Sequence, residues 1–68
     1  MEAREKIITT AVRLFSAQGY ANTSLSQVAK EADVSKALIF WHFDNKETLF
    51  RTAVQRTLEP YFINVLDD

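Results

Sequence analysis

The sequence predicts an all-α fold, a three-helix bundle that contains a helix-turn-helix and is followed by a fourth linker helix. The composition favours helices, because 68 residues include one glycine, one proline and many strong helix formers. Apolar residues recur at helical spacing through most of the chain. Ser24 and Ser35 each open a short amphipathic run, with a break at 32–34 between them. Two short helices joined by a tight turn are typical of a helix-turn-helix.

The first helix is predicted over residues 3–18. One apolar stripe runs along it at the spacing of a buried helix face, formed by Ile7, Ile8, Ala11, Leu14 and Phe15. Gly19 follows, and we expect it to end the helix as a left-handed C-cap.

The second helix begins at Ser24, a favourable N-cap, with Gln27 placed to complete a capping box. Thr23, one residue earlier, is an alternative cap. Asp33 occupies the turn, and Val34 is expected to point back into the core. The buried stripe of this helix is predicted at Leu25, Val28, Ala29 and Ala32.

The third helix is predicted over residues 35–41, with Ser35 as its cap. Its inward contacts are expected from Leu38 or Ile39, then from Phe40 and Phe43. Its outward residues are then Lys36, Ala37 and Trp41, with Leu38 near the boundary. The core residues expected across these helices are Ile7, Leu14, Phe15, Val28, Phe40 and Phe43.

The fourth helix is expected to begin near Asn45 or Lys46, and Pro60 is expected to kink or stop it. Five apolar residues lie in the six positions 61–66. They either fold back onto the first helix or meet a part of a longer parent protein that follows residue 68.

Composition excludes several classes of function. The chain has no cysteine and one histidine, His42, so disulfides, thiol nucleophiles and multi-histidine metal sites are excluded. Neither a membrane span nor a signal peptide is predicted, which favours the cytoplasm. No catalytic constellation accompanies His42. We therefore expect no enzyme, no metal and no cofactor.

The motifs, in order and at intact spacing, resemble the N-terminal DNA-binding domain of the TetR family of bacterial transcriptional repressors. The family pattern is L-F-x-x-x-G, T-S/T, V/I-A, G-V-S, G-x-L-Y-x-H/Y-F and K-E-x-L. The matching segments are 14–19, 23–24, 28–29, 33–35, 37–43 and 46–49. Three positions depart from the pattern: Asp33 and Ala37 replace glycines, and Phe40 replaces a tyrosine.

The resemblance implies a homeodomain-like helix-turn-helix domain at 1–48. It also implies that the fourth helix, 45–68, connects to a C-terminal ligand and dimerisation domain outside this chain. The implied function is sequence-specific DNA binding by a repressor, as a homodimer on a near-palindromic operator. A small-molecule inducer would act only through the missing domain. The implied location is the bacterial cytoplasm, at the nucleoid.

A helix-turn-helix places the start of its second helix against base edges in the major groove. The candidates for base contact are Ser35, Lys36, Ala37, Leu38 and, further along, Trp41. Lys36 can donate to guanine and Ala37 can contact a thymine methyl group. Lys36 can instead bind a phosphate or remain solvated, and Trp41 can pack on the sugar–phosphate or cover the helix junction.

The candidates for phosphate contact are Thr23, Ser24, Ser26, His42 and Lys46. The first three lie where backbone N–H groups and hydroxyls at a helix start can hold a phosphate. The last two lie in the region that grips the DNA backbone in the family. Capping is the plainer role for Ser24, and packing is the plainer role for His42.

The net charge of −1 is low for a nucleic-acid domain. Binding would therefore depend on a few well-placed groups and on two copies acting together. The alternative hypothesis is a small helical protein-interaction module that uses the apolar segment 61–66.

Overall fold

The computed structural model describes residues 2–67, and the side chains of residues 2–61. Within that range the regular structure is entirely helical: α1 (Ala3–Gln18), α2 (Leu25–Ala32), α3 (Lys36–Phe43) and α4 (Lys46–Asp67). The predicted fold class, helix order and break between the second and third helices are confirmed. The third helix extends two residues past the predicted end at Trp41.

One hydrophobic core joins the four helices. Helix α1 packs against the other three, which explains why its apolar stripe is the longest. The core residues are Ile7, Ile8, Ala11, Leu14, Val28, Ala29, Ala32, Ile39, Phe43, Leu49 and Ala53. Phe15, Leu25 and Val34 lie partly buried at its edge. The predicted stripes of α1 and α2 are thus confirmed.

Phe40 was predicted to lie in the core, and that prediction is wrong. Its side chain is 43% exposed, whereas Ile39 and Phe43 are 0% and 1% exposed. Ile39 and Phe43 are four residues apart and share one face of α3, so they bury together. Phe40 lies about 100° further round the helix and faces away from the core.

Gly19 ends α1 as predicted, but not in the left-handed helical conformation. Its φ is 86° and its ψ is 161°, and its N–H donates to the Phe15 carbonyl. This mirror-image extended conformation is essentially restricted to glycine. A Cβ at this position would meet nothing within 4 Å, so the requirement for glycine comes from the backbone dihedrals alone.

The turn between α2 and α3 is a Schellman motif. Asp33 has φ 59° and ψ 47°, the left-handed helical conformation. Its N–H donates to the Lys30 carbonyl at 3.3 Å, and the N–H of Val34 donates to Ala29 at 3.0 Å. Val34 packs against the core. Aspartate thus occupies the position where the TetR pattern has glycine, as expected.

The junction between α3 and α4 is much tighter. Asp44 has φ 65° and ψ −49°, and the N–H of Asn45 donates to the Phe43 carbonyl at 2.6 Å. This is a γ-turn of the strained type. Asn45 Oδ1 then accepts from the Thr48 N–H at 2.8 Å, which caps α4. The predicted helix start at Lys46 is confirmed.

Only one of the two hydrogen bonds of the capping box predicted for α2 forms. Ser24 Oγ accepts from the Gln27 N–H at 3.0 Å. The Gln27 side chain does not return to Ser24, because its Oε1 accepts from Gln18 at 2.6 Å and its Nε2 donates to Glu31 at 3.3 Å. Gln27 therefore ties α2 to the end of α1.

Helix α4 continues through Pro60, so of the two outcomes expected at this residue, a kink or a stop, the stop does not occur. A proline removes one intrahelical hydrogen bond. Residues 54–61 are all exposed, so water can satisfy the carbonyl that loses its partner. Tyr61 is 67% exposed, and the side chains of 62–66, on which the expectation for the apolar segment rests, lie outside the described residues. None of the described helices combines the length and the apolar character needed to cross a membrane.

Candidate nucleic-acid interface

Helix α3 presents three rows of side chains away from the core. Residues four apart share a row, so Lys36 lies beside Phe40, Ala37 beside Trp41, and Leu38 beside His42. Trp41 is 77% exposed and Phe40 is 43% exposed. Leu38 and His42 are half-buried, and the other four residues are exposed. The face that a major groove would meet is thus a mixture of apolar groups, aromatic rings and one cation.

Ser35 sets the direction of α3. Its Oγ accepts from the Leu38 N–H at 3.0 Å, which leaves the hydroxyl proton free to donate. The first turn that follows carries Lys36, Ala37 and Leu38. The structure therefore brings four of the five base-contact candidates together on one exposed helix start, with Trp41 one turn further on.

Lys36 is held over its own helix. Its Nζ lies 5.9 Å from the centre of the Phe40 ring, within the range of a cation–π contact. Both side chains are exposed, so this contact is weak. Lys36 remains able to reach a base edge or a phosphate.

The cations of the chain divide by residue type. All four arginines make ion pairs: Arg4 and Arg56 with Glu5, Arg13 with Glu31, and Arg51 with Glu47. No lysine pairs with a carboxylate among the side chains of residues 2–61. The low net charge therefore understates the number of positive charges that are free to contact a phosphate. In this part of the chain, the cations not already neutralised are Lys6, Lys30, Lys36 and Lys46.

Lys46 is partly engaged within the protein. Its Nζ donates to the Tyr20 carbonyl at 2.6 Å and lies 4.2 Å from the centre of the Tyr20 ring. An ammonium group has three donors, so two remain for a phosphate. Tyr20 in turn packs against Phe15 and Phe50. This Lys46–Tyr20 contact ties the start of α4 to the loop that precedes α2.

His42 and Trp41 pack edge to face, with ring centres 4.8 Å apart. His42 is half-buried, which fits both the packing role and a ring nitrogen directed at a phosphate. Trp41 does not cover the helix junction, because more than three quarters of it is exposed. Contact of Trp41 with base edges or with the sugar–phosphate stays a prediction.

Thr23 does not fit its predicted role as a phosphate contact. The residue is 2% exposed, and its hydroxyl donates to the Gly19 carbonyl at 2.8 Å. Its N–H donates to the Tyr20 carbonyl. Both donors are therefore used in holding the loop between α1 and α2. Ser24 and Ser26 are exposed at the start of α2 and can reach a phosphate, although Ser24 also caps the helix.

Ion pairs fix α2 and α4 to α1 at the surface. The Arg13 guanidinium donates to Glu31 at 2.8 Å and lowers the pKa of that carboxyl, with a smaller contribution from Gln27. The Arg56 guanidinium likewise lowers the pKa of Glu5 through a hydrogen bond. Both carboxyls are therefore charged near neutral pH, and each neutralises part of the charge of its arginine.

Two contributors to this surface were missed by sequence reasoning. Phe40 lies in one row with Lys36, but α3 is apolar on nearly all sides, so this spacing alone does not place Phe40 outside the core. The partnership of Lys46 with Tyr20 has no local signal either, because the two residues are 26 positions apart.

Residues 7–53 match the family model described as bacterial regulatory proteins, tetR family. This range runs from the first buried residues of α1 to the last core residue of α4. It contains all ten candidate contact residues.

Several curated relatives share this region. The chain is 40% identical over 63 residues to the biofilm operon icaADBC HTH-type negative transcriptional regulator IcaR of Staphylococcus epidermidis, covering 93% of this chain and 34% of that protein. It is 49% identical over 49 residues to the HTH-type transcriptional regulator AcrR of Shigella flexneri, covering 72% of this chain and 23% of that protein. The IcaR of Staphylococcus aureus strain Newman is 35% identical over 63 residues, 93% of this chain and 33% of that protein.

The chain thus spans about a third or less of the length of these relatives. They are transcriptional regulators rather than enzymes. They give no support to the alternative of a protein-interaction module.

Proposed function

The chain belongs to the TetR family of bacterial regulatory proteins, and we propose that it is the DNA-reading head of a transcriptional repressor. The observation that carries this proposal is the exposed face of α3, which is the second helix of a capped helix-turn-helix and bears one free cation among apolar groups. Such a face is costly to leave in water unless a partner covers it. A helix of this width fits the major groove of B-DNA.

In this proposal α3 enters the major groove and α2 crosses the backbone above it. Ser35, Lys36, Ala37, Leu38 and Trp41 face the base edges. Ser24, Ser26, His42 and Lys46 hold phosphates on either side. Thr23 has no direct contact and shapes the loop that presents Ser24.

Two copies would occupy a near-palindromic operator, with the α3 helices in major grooves about 34–36 Å apart. Bound there, they would block transcription by occupying the DNA. A single copy offers few free lysines, so pairing two copies would supply most of the affinity. Function on the chromosome would place the protein in the bacterial cytoplasm, at the nucleoid.

Residues 1–48 would form the reading domain, and 45–68 would connect it to a C-terminal domain that dimerises and takes up a small-molecule inducer. The first half of α4 supports this division of labour, because Leu49 and Ala53 belong to the core. A displacement of α4 would therefore be transmitted to the bundle, and through the Lys46–Tyr20 contact to the loop before α2. This is a coupling of two sites through one element.

A salt titration of duplex binding tests the function. Each neutralised phosphate contributes about −0.9 to the slope of log K against log salt concentration on B-DNA. We expect a steep negative slope for the chain, measured by fluorescence anisotropy on duplexes selected from a random pool. A flat response, or no binding by two covalently linked copies, would contradict the proposal.

Two lysine variants separate base contact from phosphate contact. Lys46→Ala should weaken binding to all sequences alike and reduce the salt slope by about 1, whereas Lys36→Ala should relax sequence preference. Arg56→Gln is the control for net charge, since it removes one positive charge about 15 Å along α4 from Lys46. Loss of the same size on every sequence for both lysine variants would remove the base-contact role of Lys36.

A further inference from the structure

The exposed side of α3 has very little hydrogen-bonding capacity. The helix sequence is K-A-L-I-F-W-H-F, preceded by Ser35. Its first turn offers one ammonium group, on Lys36, and one hydroxyl, on Ser35. It carries no asparagine, glutamine, aspartate, glutamate or arginine.

This composition limits what the helix can read directly. Bidentate contact with adenine requires an amide side chain, and contact with the amino group of cytosine requires an acceptor such as a carboxylate. Neither an amide nor a carboxylate side chain is present on α3. The Oγ of Ser35 already accepts from the Leu38 N–H at 3.0 Å, which occupies part of its acceptor capacity. Lys36 is a donor only, so guanine is the base edge that it suits best.

The remaining exposed groups at the helix start are the methyl group of Ala37 and the side chain of Leu38. The apolar group that a base presents in the major groove is the C5-methyl of thymine. Ala37 is exposed and Leu38 is half-buried, so part of the Leu38 side chain remains accessible beside the Ala37 methyl group. The two residues are adjacent in sequence and can meet neighbouring base pairs.

We infer that this reading head recognises thymine C5-methyl groups through Ala37 and Leu38, beside a guanine contacted by Lys36. The inference rests on the proposed function and names its ligand class: a duplex half-site in which thymines, rather than adenine or cytosine edges, carry direct specificity. The discriminating group is one methyl per thymine. Its removal leaves base pairing and the hydrogen-bonding edge of the base unchanged.

The test uses duplexes selected by the chain from a random pool, in which each thymine is replaced singly by uracil. Removing one buried methyl group should weaken binding about fourfold, at one or two thymines in each half-site. Replacement by 5-bromouracil, which fills the position of the methyl group, should restore most of the affinity. Binding that is unchanged by every uracil replacement would overturn the inference and leave the proposed function standing.

Variants assign the methyl contact to its residues. For Ala37→Gly or Leu38→Ala, the ratio of affinities for thymine and uracil duplexes should fall towards 1 at the thymine that the substituted residue contacts. Lys36→Ala is the matched control and should keep that ratio. Because each ratio is taken within one protein, a change in helix stability cancels.

The remaining outcomes are decisive as well. A uracil effect that survives both Ala37→Gly and Leu38→Ala would overturn the assignment, since it would then arise from DNA shape or from other residues. Failure to select any duplex, even with two linked copies, would overturn the proposed function and this inference with it.

Discussion

Helices α2 and α3 are closely matched in design. Each has eight residues, a serine N-cap and an aspartate of positive φ at its end. Ser24 accepts from Gln27 and Ser35 accepts from Leu38, each at 3.0 Å. Both helices add small apolar surfaces to the same core.

Their outer faces differ. The outer side of α2 is polar and tied to α1, through Arg13 with Glu31 and Gln18 with Gln27. The outer side of α3 bears Phe40, Trp41, Ala37 and Lys36, with no ion pair to another helix among the described side chains. Helix α2 is thus tied to the bundle on its outer side, whereas α3 leaves a largely apolar face exposed. Under the proposed function, this difference separates a supporting helix from a reading helix of the same length.

The largest expected effect is a difference in stability between substitutions on the two sides of α3. Phe43→Ala should destabilise the fold by about 3–5 kcal/mol, because the ring is buried in the core. A 68-residue domain has a total stability of roughly 3–10 kcal/mol, so much of this variant should be unfolded. Urea denaturation followed by circular dichroism measures the loss.

Phe40→Ala is the matched control for that variant, with the same substitution on the same helix. Its exposed ring should contribute about 1 kcal/mol or less, and the variant should stay folded. Equal destabilisation by the two substitutions would contradict the division of α3 into a core side and a partner side.

The caps should show where the two helices are alike. Ser24→Ala and Ser35→Ala should each cost about 1 kcal/mol in the free energy of unfolding. Each variant removes one acceptor from a backbone N–H, so the losses should agree. Ser→Asp at the same positions keeps an acceptor and should retain most of the stability. A much larger loss at one site would show that its serine does more than cap.

The two helix ends should respond differently to glycine. Asp44 adopts the strained γ-turn geometry, whereas Asp33 adopts a left-handed conformation that aspartate tolerates. Backbone strain of this kind destabilises the fold by about 1–3 kcal/mol. Glycine relieves the strain, but its greater conformational entropy in the unfolded chain offsets roughly 0.5–1 kcal/mol of the gain. Asp44→Gly should therefore stabilise the fold more than Asp33→Gly does.

Asp44→Asn controls for the charge, since it removes the carboxylate and keeps a side chain at positive φ. The three variants are compared by their urea midpoints. Stabilisation by Asp44→Asn equal to that by Asp44→Gly would attribute the effect to charge rather than to the backbone.

The smallest expected effect concerns the Arg13–Glu31 ion pair, which joins α2 to α1. Arg13 lowers the pKa of Glu31 in the folded protein below its ordinary value of 4.5. The contribution of the Arg13–Glu31 ion pair to the free energy of unfolding is therefore present above pH 4.5. It is lost as the pH falls through the pKa of Glu31 in the folded protein. Arg13→Met should raise the Glu31 pKa towards 4.5, as measured by NMR titration.

Glu5, whose pKa is lowered by Arg56, is the internal control and should titrate unchanged in Arg13→Met. The reverse pattern is expected in Arg56→Met. A shift of both carboxyls in either variant would mean that the bundle had rearranged, not that one ion pair had been lost.

The sequence by itself determined the elements of this protein and their order. Helix starts at Ser24, Ser35 and Lys46, the glycine after α1 and the aspartate turn at 33 all follow from contacts within about four residues, which the sequence displays directly. The apolar stripes of α1 and α2 were equally legible, because polar residues mark their opposite sides. The family motifs also identify the type of helix-turn-helix, because they consist of residues at short, fixed spacings.

Only the tertiary structure decided which side of α3 faces inward. That helix is apolar on nearly all sides, so periodicity cannot choose between Ile39 and Phe40, and the neighbouring helices make the choice. The hydrogen bond of Gln27 to Gln18 and the Lys46–Tyr20 contact likewise join residues that local spacing does not relate. The outward face of α3 thus follows from how the other three helices pack, because burying Ile39 and Phe43 leaves Phe40 and Trp41 exposed.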